Sequence, residues 1–285
     1  MRLREMTGAD IPAGLRLKEV AGWNQTAADW QRFLDRSPHG CFVAEMDGQV
    51  RGTVTTIPYE RCFAWIGMVL VDPGYRGRGF GTALLERAIE YLDGLNLSAL
   101  KLDATPQGKP LYEKLGFRSE YEIGRWTLRR AGSESQKPVR TAVREPVTPE
   151  LLERVCRWDR EVFGADRSFL LKSLHAHAPD FTQAIVKTGA LAGYAFGRQG
   201  SFADHLGPWT ATDASTAHAL LDGFLASSSR EMQIADCLHS HPAAADLLKA
   251  AGFSHARPLI RMCRGSNRYP GRPELQCAIL GPEFG

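Results

Sequence analysis

The stretch WIGMVLVDPGYRGRGFGTALLERAIEYL, residues 65–92, decides the fold. Its apolar run from Ile66 to Val71 predicts a buried strand, which Asp72-Pro73-Gly74 ends. From Gly79 onward, apolar side chains recur at helical spacing, with charged side chains on the opposite face. The apolar face consists of Leu84, Leu85, Ala88, Ile89 and Leu92. The predicted order is therefore strand, glycine-rich turn, helix.

The glycine-rich turn has the composition of an anion site. Gly77, Gly79 and Gly81 let the backbone approach a ligand, and the first helical turn offers unpaired N–H groups at the positive end of the helix dipole. This geometry binds phosphate or pyrophosphate. Arg76 and Arg78 add charge for further phosphates. A dinucleotide site or a tight structural turn would have a similar pattern, although a dinucleotide turn normally follows the first strand of its domain.

Two motifs in order resemble one family. Arg76-x-x-Gly79-x-Gly81 resembles the acetyl-CoA pyrophosphate loop of the GCN5-related N-acetyltransferase (GNAT) family, and Leu111-Tyr-Glu-Lys-Leu-Gly-Phe117 resembles its second motif. The resemblance covers residues 1–130 well. It implies an α/β fold with a mixed, mostly antiparallel sheet flanked by helices, and acetyl-CoA as the cofactor.

The resemblance also implies which residues hold coenzyme A. The backbone of Met68, Val69, Leu70 and Val71 would pair with the pantetheine arm, in a strand that splays from its neighbour. The diphosphate would be held by Arg76, Gly77, Arg78, Gly79, Phe80, Gly81 and Thr82. A buried core strand is equally compatible with the first group, since the backbone does the binding.

Acetyl transfer to an amine needs a neutral amine, donors to the thioester oxygen and a proton for the leaving thiolate. Tyr112 matches the second-motif tyrosine, which stands near the CoA sulfur in the family, and is the predicted general acid. Asp103 is predicted to anchor a cationic acceptor or to relay its proton; the alternative is a turn cap through Thr105. Glu45 and Glu60 are the remaining candidates for the base, and water is another.

The acceptor groove is predicted to be lined by aromatic and amide side chains. Trp23, Asn24 and Tyr59 are expected on loops that face the groove, and Trp65 at the start of the cofactor strand. Aromatic rings beside Asp103 would suit an amine with an apolar or planar body. The alternative for each of these residues is a place in the core.

Local signals outside these motifs predict the neighbouring elements. Thr26 is the predicted N-cap of a helix, Asp47-Gly48 a tight hairpin turn and Gly116 the residue that ends a short helix begun by Pro110. The predicted domains are a catalytic domain at 1–130, a linker at 131–138 and a second domain at 139–285, which would start with a strand at 139–143.

The second half carries a degenerate copy of the first. Ala83-Leu84-Leu85 reappears 136 residues later as Ala219-Leu220-Leu221, and Gly116-Phe117 as Gly252-Phe253. At the same offset, the glycine-rich turn becomes Thr212, Asp213, Ser215 and Ala217, at the positions of Arg76, Gly77, Gly79 and Gly81. A carboxylate there opposes an anion, so the second domain is expected to keep the fold and lose the cofactor.

Composition excludes several classes of protein. A net charge of +3 and a pI near 8.5 are too mild for a nucleic-acid partner. No apolar stretch reaches membrane-spanning length and no signal peptide is evident, so a cytoplasmic protein is expected. Six scattered cysteines predict reduced core residues, and the pairs His175/His177 and His239/His241 lack a third ligand, so no metal is expected.

The sequence therefore predicts an acetyl-CoA-dependent N-acetyltransferase that acts on a primary amine by direct transfer in a ternary complex. A small acceptor is expected because a second domain beside the groove would restrict access. A non-catalytic acyl-CoA sensor or assembly module is the alternative, and a nucleotide-binding fold is a remote third. The identity of the acceptor and the oligomeric state stay open.

Overall fold

The computed structural model describes residues 1–130, 147–241 and 243–285. The predicted linker at 131–138 and the predicted strand at 139–143 lie outside these residues. In chain order the strands are β1 (Arg2–Glu5), β2 (Phe42–Met46), β3 (Gln49–Tyr59), β4 (Phe63–Val71), β5 (Ala99–Ala104), β6 (Arg118–Arg129), β7 (Gln183–Lys187), β8 (Ala190–Gln199), β9 (Asp204–Ala211), β10 (Met232–Leu238), β11 (Ser254–Gly265) and β12 (Gln276–Ala278). The helices are α1 (Ile11–Val20), α2 (Ala27–Arg36), α3 (Phe80–Asp93), α4 (Lys109–Lys114), α5 (Pro149–Phe163), α6 (Ser168–His177), α7 (Ala214–Ser227) and α8 (Ala244–Ala250).

The predicted fold class is confirmed, and local signals explain several of its boundaries. Thr26 and Asp29 form a reciprocal capping box at the start of α2. Asp47 and Gly48 both have positive φ, as a two-residue hairpin turn between β2 and β3 requires. Gly116 adopts φ 87° directly after α4, as predicted for a helix-ending glycine. None of the described helices combines the length and the apolar character needed to cross a bilayer.

The described residues form two compact units that are not two consecutive segments. The first unit contains Met1–Glu120, Ile260–Tyr269 and Pro282–Gly285; the second contains Tyr121–Leu259 and Pro270–Gly281. The predicted division was at 1–130 and 139–285. In the structure most of β6 belongs to the second unit, and the end of β11 belongs to the first. Sequence order alone carries no signal for such an exchange of strands.

The first unit has the sheet order β1-β2-β3-β4-β5-β11. Adjacent strands are antiparallel except β4 and β5, which run parallel and are joined through α3. One face of the sheet packs on the apolar stripe of α3 and forms the core. The alternate residues of β4 and β5, among them Trp65 and Lys101, point to the opposite face.

The second unit repeats this plan in the order β6-β10-β12-β9-β8-β7. Its core forms where α7 and α8 pack on the sheet around Trp126, Trp209 and Phe224. Gly252 has φ 89° after α8, as Gly116 has after α4. β11 spans 254–265, which is β6 displaced by 136 residues in both bounds, so the duplication inferred from the sequence extends to the boundaries of the elements.

Candidate functional site

In the first unit, β4 and β5 separate after a short parallel ladder. They pair only where Phe63–Trp65 lie beside Ala99–Lys101. Beyond that point β4 stays paired with β3 and β5 stays paired with β11. The gap between Ile66–Val71 and Leu102–Ala104, called the wedge below, therefore has strand backbone along both sides. The strand expected to splay from its neighbour does so.

A β-bulge lies in the middle of the wedge. Met68 and Val69 on β4 stand opposite the single residue Val54 on β3, and Met68 has φ 50°. The carbonyl of Met68 accepts a hydrogen bond from the Thr53 hydroxyl at 2.8 Å. A bulge disrupts the ladder and bends its strand, so backbone groups of β4 turn away from β3 at this point. The sequence contained no signal for the bulge.

The glycine-rich turn joins the end of β4 to α3. Gly77 has φ 71° and Gly79, the N-cap of α3, has φ 81°, a region that favours glycine. Gly79 provides no capping side chain, and the turn from Arg76 to Gly79 is exposed. The first N–H groups of the 14-residue helix α3 are thus available to an anion. Among the predicted residues of the first helical turn, Phe80 is buried, so only its backbone can contribute.

Arginines surround this turn. Arg76 Nε donates to the Val71 carbonyl at 3.2 Å, and the guanidinium of Arg78 lies 5.4 Å from the centre of the Tyr75 ring. Arg51, which the sequence analysis did not identify, lies 4.7 Å from the same ring. Arg51 belongs to β3, so its place at the turn depends on the pairing of β3 with β4. The turn therefore has more cationic side chains than its own sequence contains.

Asp72 is the one carboxylate within the turn, and it is held by the protein itself. It accepts hydrogen bonds from Arg16 and Arg51 at 3.2 Å each and from the Gly74 N–H. Burial raises its pKa, but these donors outweigh burial and the net pKa is lowered. Asp72 thus fixes the end of β4 and does not cancel the positive charge of the helix terminus.

The second motif lies against the first. A Cβ placed at Gly81 would be 3.6 Å from Val71 Cγ2 and 3.8 Å from Leu111 Cδ2. The end of β4, the start of α3 and α4 therefore meet at one point. Two motifs separated by thirty residues of sequence therefore lie in contact in the structure.

Tyr112 lies in α4, and its ring packs edge-on against Phe117 with centroids 6.1 Å apart. Burial raises the pKa of Tyr112 to about 12. The hydroxyl therefore remains protonated at neutral pH and is able to donate a proton. This is the state that the predicted general acid requires.

The predicted carboxylates have other partners. Asp103 forms a bidentate ion pair with Arg261 at 2.9 and 2.8 Å, and its side chain is fully buried. Neither the predicted acceptor contact nor the turn cap at Thr105 describes this arrangement. Glu45 accepts from Arg4 Nε at 2.9 Å on the β1 side of the sheet, away from the wedge. Glu60 is exposed at the turn between β3 and β4.

The predicted acceptor residues have different environments. Trp23 is half-buried and Asn24 is buried between α1 and α2. Tyr59 belongs to the end of β3, not to a loop as predicted, and both Tyr59 and Trp65 are fully buried. Arg261 stacks 4.5 Å from the centre of the Trp65 ring. The packing of the sheet explains the correction for Tyr59, because β3 continues past the proline at 58.

The segment Pro282–Gly285 explains the burial of these two rings. Trp65 Nε1 donates to the Pro282 carbonyl at 2.8 Å, and the Tyr59 hydroxyl donates to the Phe284 carbonyl at 2.7 Å. Phe284 stacks on Phe33 with centroids 4.8 Å apart. The segment thus lies on the face of β4 opposite α3. No motif in the sequence marks this segment.

The corresponding turn of the second unit has an internal anion. Asp213 caps α7 and accepts from the Thr216 N–H at 2.9 Å, from Ser215 Oγ at 2.6 Å and from Lys187 Nζ at 3.0 Å. The hydrogen bond from Ser215 is the largest cause of a strongly lowered pKa for Asp213. The helix terminus is therefore already neutralised by a carboxylate of the chain.

The second wedge is also filled. β9 and β10 pair in parallel only over Asp204–Leu206 and Gln233–Ala235, as β4 and β5 do. Beyond this ladder β12 pairs antiparallel with β9 through Thr210 and with β10 through Cys237. A strand of the chain thus occupies the gap that is lined by open backbone in the first unit.

Comparison with known proteins places both halves in one class. The Acetyltransferase (GNAT) family model matches residues 15–117, and an Acetyltransferase (GNAT) domain model matches residues 155–277. Holothin acyltransferase of Pseudoalteromonas sp. is 25% identical over 264 residues, covering 92% of this chain and 87% of that protein. The uncharacterized N-acetyltransferase YitH of Bacillus subtilis is 27% identical over 241 residues, covering 84% and 83%. A crystal structure of a putative acetyltransferase from Pyrococcus horikoshii superposes with a TM-score of 0.82 at 22% identity, covering 100% of this chain and 95% of that one.

Proposed function

Since the chain belongs to the GNAT acetyltransferase family and is a tandem acyltransferase, we propose that its first unit transfers an acetyl group from acetyl-CoA to a primary amine of a small molecule. The observation that carries this proposal is the pairing of an open wedge with an uncapped, arginine-rich helix terminus. Both features occur together in the first unit, and the second unit has neither.

Coenzyme A fits these two features in one orientation. The diphosphate would accept from the first N–H groups of α3, with Arg76 and Arg78 at its exposed side. The pantetheine arm would lie along Met68–Val71 and pair with the backbone that faces the wedge. Met68–Val71 and the first turn of α3 would contribute backbone groups, and only the two arginines would contribute side chains. The identity of the side chains along β4 therefore matters little.

The bulge is the proposed position of the thioester. Backbone groups that turn away from β3 at Met68 and Val69 are suited to donate to the thioester oxygen as charge develops on it. A neutral amine then attacks the carbonyl carbon, and the C–S bond breaks as the C–N bond forms. Tyr112 donates its phenolic proton to the leaving thiolate, and the raised pKa keeps that proton available at neutral pH. The nitrogen gives one proton to the resulting phenolate, which completes the amide and restores Tyr112. Transfer is direct, in a ternary complex.

Asp103 is assigned a positioning role in this scheme. Its bidentate pair with Arg261 holds the end of β5, and the Arg261 guanidinium in turn packs on Trp65. The two edges of the wedge are thereby tied at its base. This assignment replaces acceptor binding as the proposed contribution of Asp103, and it leaves Glu45 outside the reaction.

A small acceptor is supported by the cover over β4. Trp65 and Tyr59 are buried beneath Pro282–Gly285, so these two rings are closed to a folded protein acceptor. Trp23 and Asn24, between α1 and α2, are the proposed acceptor contacts that remain. The name of the full-length relative holothin acyltransferase describes acyl transfer to a named compound, which agrees with this class of acceptor.

The proposal is tested with purified full-length protein. Acetyl-CoA binding is measured by isothermal titration calorimetry, and release of free CoA is followed with a thiol reagent in the presence of an amino sugar, an amino acid, a polyamine, an arylalkylamine and a lysine-containing peptide. We expect binding together with amine-dependent CoA release for a small amine. Binding with no release for any amine would contradict the enzyme and support a non-catalytic acyl-CoA module.

A further inference from the structure

The amine must give up a proton, to water or to a carboxylate, and the carboxylates predicted from the sequence have other contacts or lie away from the wedge. Asp103 is paired with Arg261, Glu45 is paired with Arg4, and Glu60 is exposed at a turn. Another carboxylate lies on the segment Pro282–Gly285. Glu283 is the acidic residue of this segment, and it is 3% exposed.

The backbone of Glu283 is in direct contact with β4 beside the bulge. A Cβ at Gly67 would lie 2.7 Å from the Glu283 carbonyl oxygen and 3.1 Å from its Cα. Gly67 is the residue immediately before Met68, where the bulge begins. The absence of a side chain at Gly67 therefore allows the backbone of Glu283 to lie against the strand beside the proposed position of the thioester.

Contacts on both sides hold Glu283 in this place. The preceding carbonyl, of Pro282, accepts from Trp65 Nε1 at 2.8 Å, and the following carbonyl, of Phe284, accepts from the Tyr59 hydroxyl at 2.7 Å. The Phe284 ring stacks on Phe33 of α2. Such anchoring restricts the backbone of one residue from both sides, which is the preorganisation expected of a group that acts on a reactant.

We propose that Glu283 is the acceptor-side carboxylate of the first unit: it binds the ammonium group of the acceptor and takes its proton before transfer. This inference rests on the proposed function. The protonated amine gives one proton to the Glu283 carboxylate, and its nitrogen lone pair then forms the C–N bond. The C–S bond breaks, and the thiolate takes the Tyr112 proton. The nitrogen then gives its second proton to the Tyr112 phenolate, which completes the amide and restores Tyr112, and Glu283 releases its proton to solvent.

The test compares Glu283→Gln, Glu283→Asp and the control Glu274→Gln in the full-length protein. Glu274 is an exposed residue of the second unit, and its carboxylate accepts a hydrogen bond from Arg272. Acetyl-CoA dissociation constants, thermal midpoints and steady-state kinetics are measured with the small amine that the wild type acetylates fastest. We expect Glu283→Gln to lower kcat/KM for the amine about 100-fold or more, the range of general acid–base catalysis, with acetyl-CoA affinity unchanged. Glu283→Asp is expected to recover part of the loss, and Glu274→Gln to match the wild type.

The outcomes separate this inference from the proposed function. A wild type that acetylates an amine, with Glu283→Gln equal to it, overturns the role of Glu283 and leaves the transferase in place. The role of Glu283 is also overturned if Glu283→Gln and Glu283→Asp lose the same fraction of kcat/KM and also show weaker acetyl-CoA binding or a lower thermal midpoint. A packing role would then explain the loss. A wild type that binds acetyl-CoA but acetylates no amine in the panel overturns both.

Discussion

Replacement of Gly79 by alanine is a direct test of the anion site, because the chain contains a matched control. Gly79 has φ 81° and Gly48 has φ 70°, and at both positions an added Cβ meets no atom of the described residues within 4 Å. Neither substitution creates a clash. Each places an L-residue in the left-handed region, so the two variants share the same kind of backbone strain.

The shared strain has a calculable effect on stability. A left-handed conformation costs an L-residue about 1–2 kcal/mol, and the lower chain entropy of unfolded alanine offsets about 0.4–1 kcal/mol of it. The net loss is about 1 kcal/mol, which lowers the thermal midpoint by about 2–4 °C for a protein of this size class. Gly79→Ala and Gly48→Ala are expected to show this decrease equally.

The effect on acetyl-CoA separates the two variants. At Gly79 the added Cβ projects at the N-terminus of α3, where the proposed diphosphate approaches the backbone. The Cβ would push the diphosphate out of one charge-assisted hydrogen bond with a backbone N–H group. Loss of one such bond is worth about 1.5–3 kcal/mol, or about 10- to 100-fold in Kd. Titration calorimetry of both variants measures this directly. Equal acetyl-CoA affinities for Gly79→Ala and Gly48→Ala would refute the placement of the diphosphate at this turn.

Three further outcomes are expected. Tyr112→Phe lowers kcat about 100-fold with unchanged acetyl-CoA affinity, while the control Tyr91→Phe, on the far part of α3, has no effect on kcat. Because the pKa of Tyr112 is raised to about 12, its proton is present below that pH. The kcat of the wild type should therefore show no decline from loss of this acid up to pH 10. Acetyl-CoA binds with a stoichiometry of one per chain in calorimetry, and a stoichiometry of two would contradict the assignment of the second unit. Arg261→Met leaves the Asp103 carboxylate buried without its cation and destabilises the fold by about 3–5 kcal/mol, measured by urea unfolding, with Arg264→Met as the exposed control.

Much of the first unit was predictable because its signals are local. The turn glycines, the Thr26 cap and the Asp47-Gly48 hairpin each specify backbone geometry from a few neighbouring residues, and each appears in the structure as expected. Tyr112 could be proposed as the general acid because its motif is contiguous, and that role stays a prediction. Residues whose role depends only on what precedes and follows them are accessible to sequence analysis.

The features that escaped prediction depend on distant partners. Arg51 reaches the turn through strand pairing, and Arg261 meets Asp103 across 158 residues of chain. Asp103 therefore appeared to be available for an acceptor, although an arginine from the second half holds it. Glu283 had no recognisable motif, and its relation to Gly67 is visible only after the segment Pro282–Gly285 is placed on β4.

The two units suggest a physical account of how one copy of a duplicated site loses its ligand. A wedge between parallel strands leaves backbone N–H and C=O groups that need partners, since unpaired buried groups are costly. In the function proposed above, the first unit leaves this requirement to coenzyme A, whereas the second meets it with β12. The positive charge at the N-terminus of α7 is likewise neutralised by a group of the chain, the Asp213 carboxylate, in place of a diphosphate. Both features would supply from the chain what we propose the ligand supplies in the first unit. We therefore expect that Asp213→Gly alone would not create an acetyl-CoA site, because the second wedge would still be closed by β12.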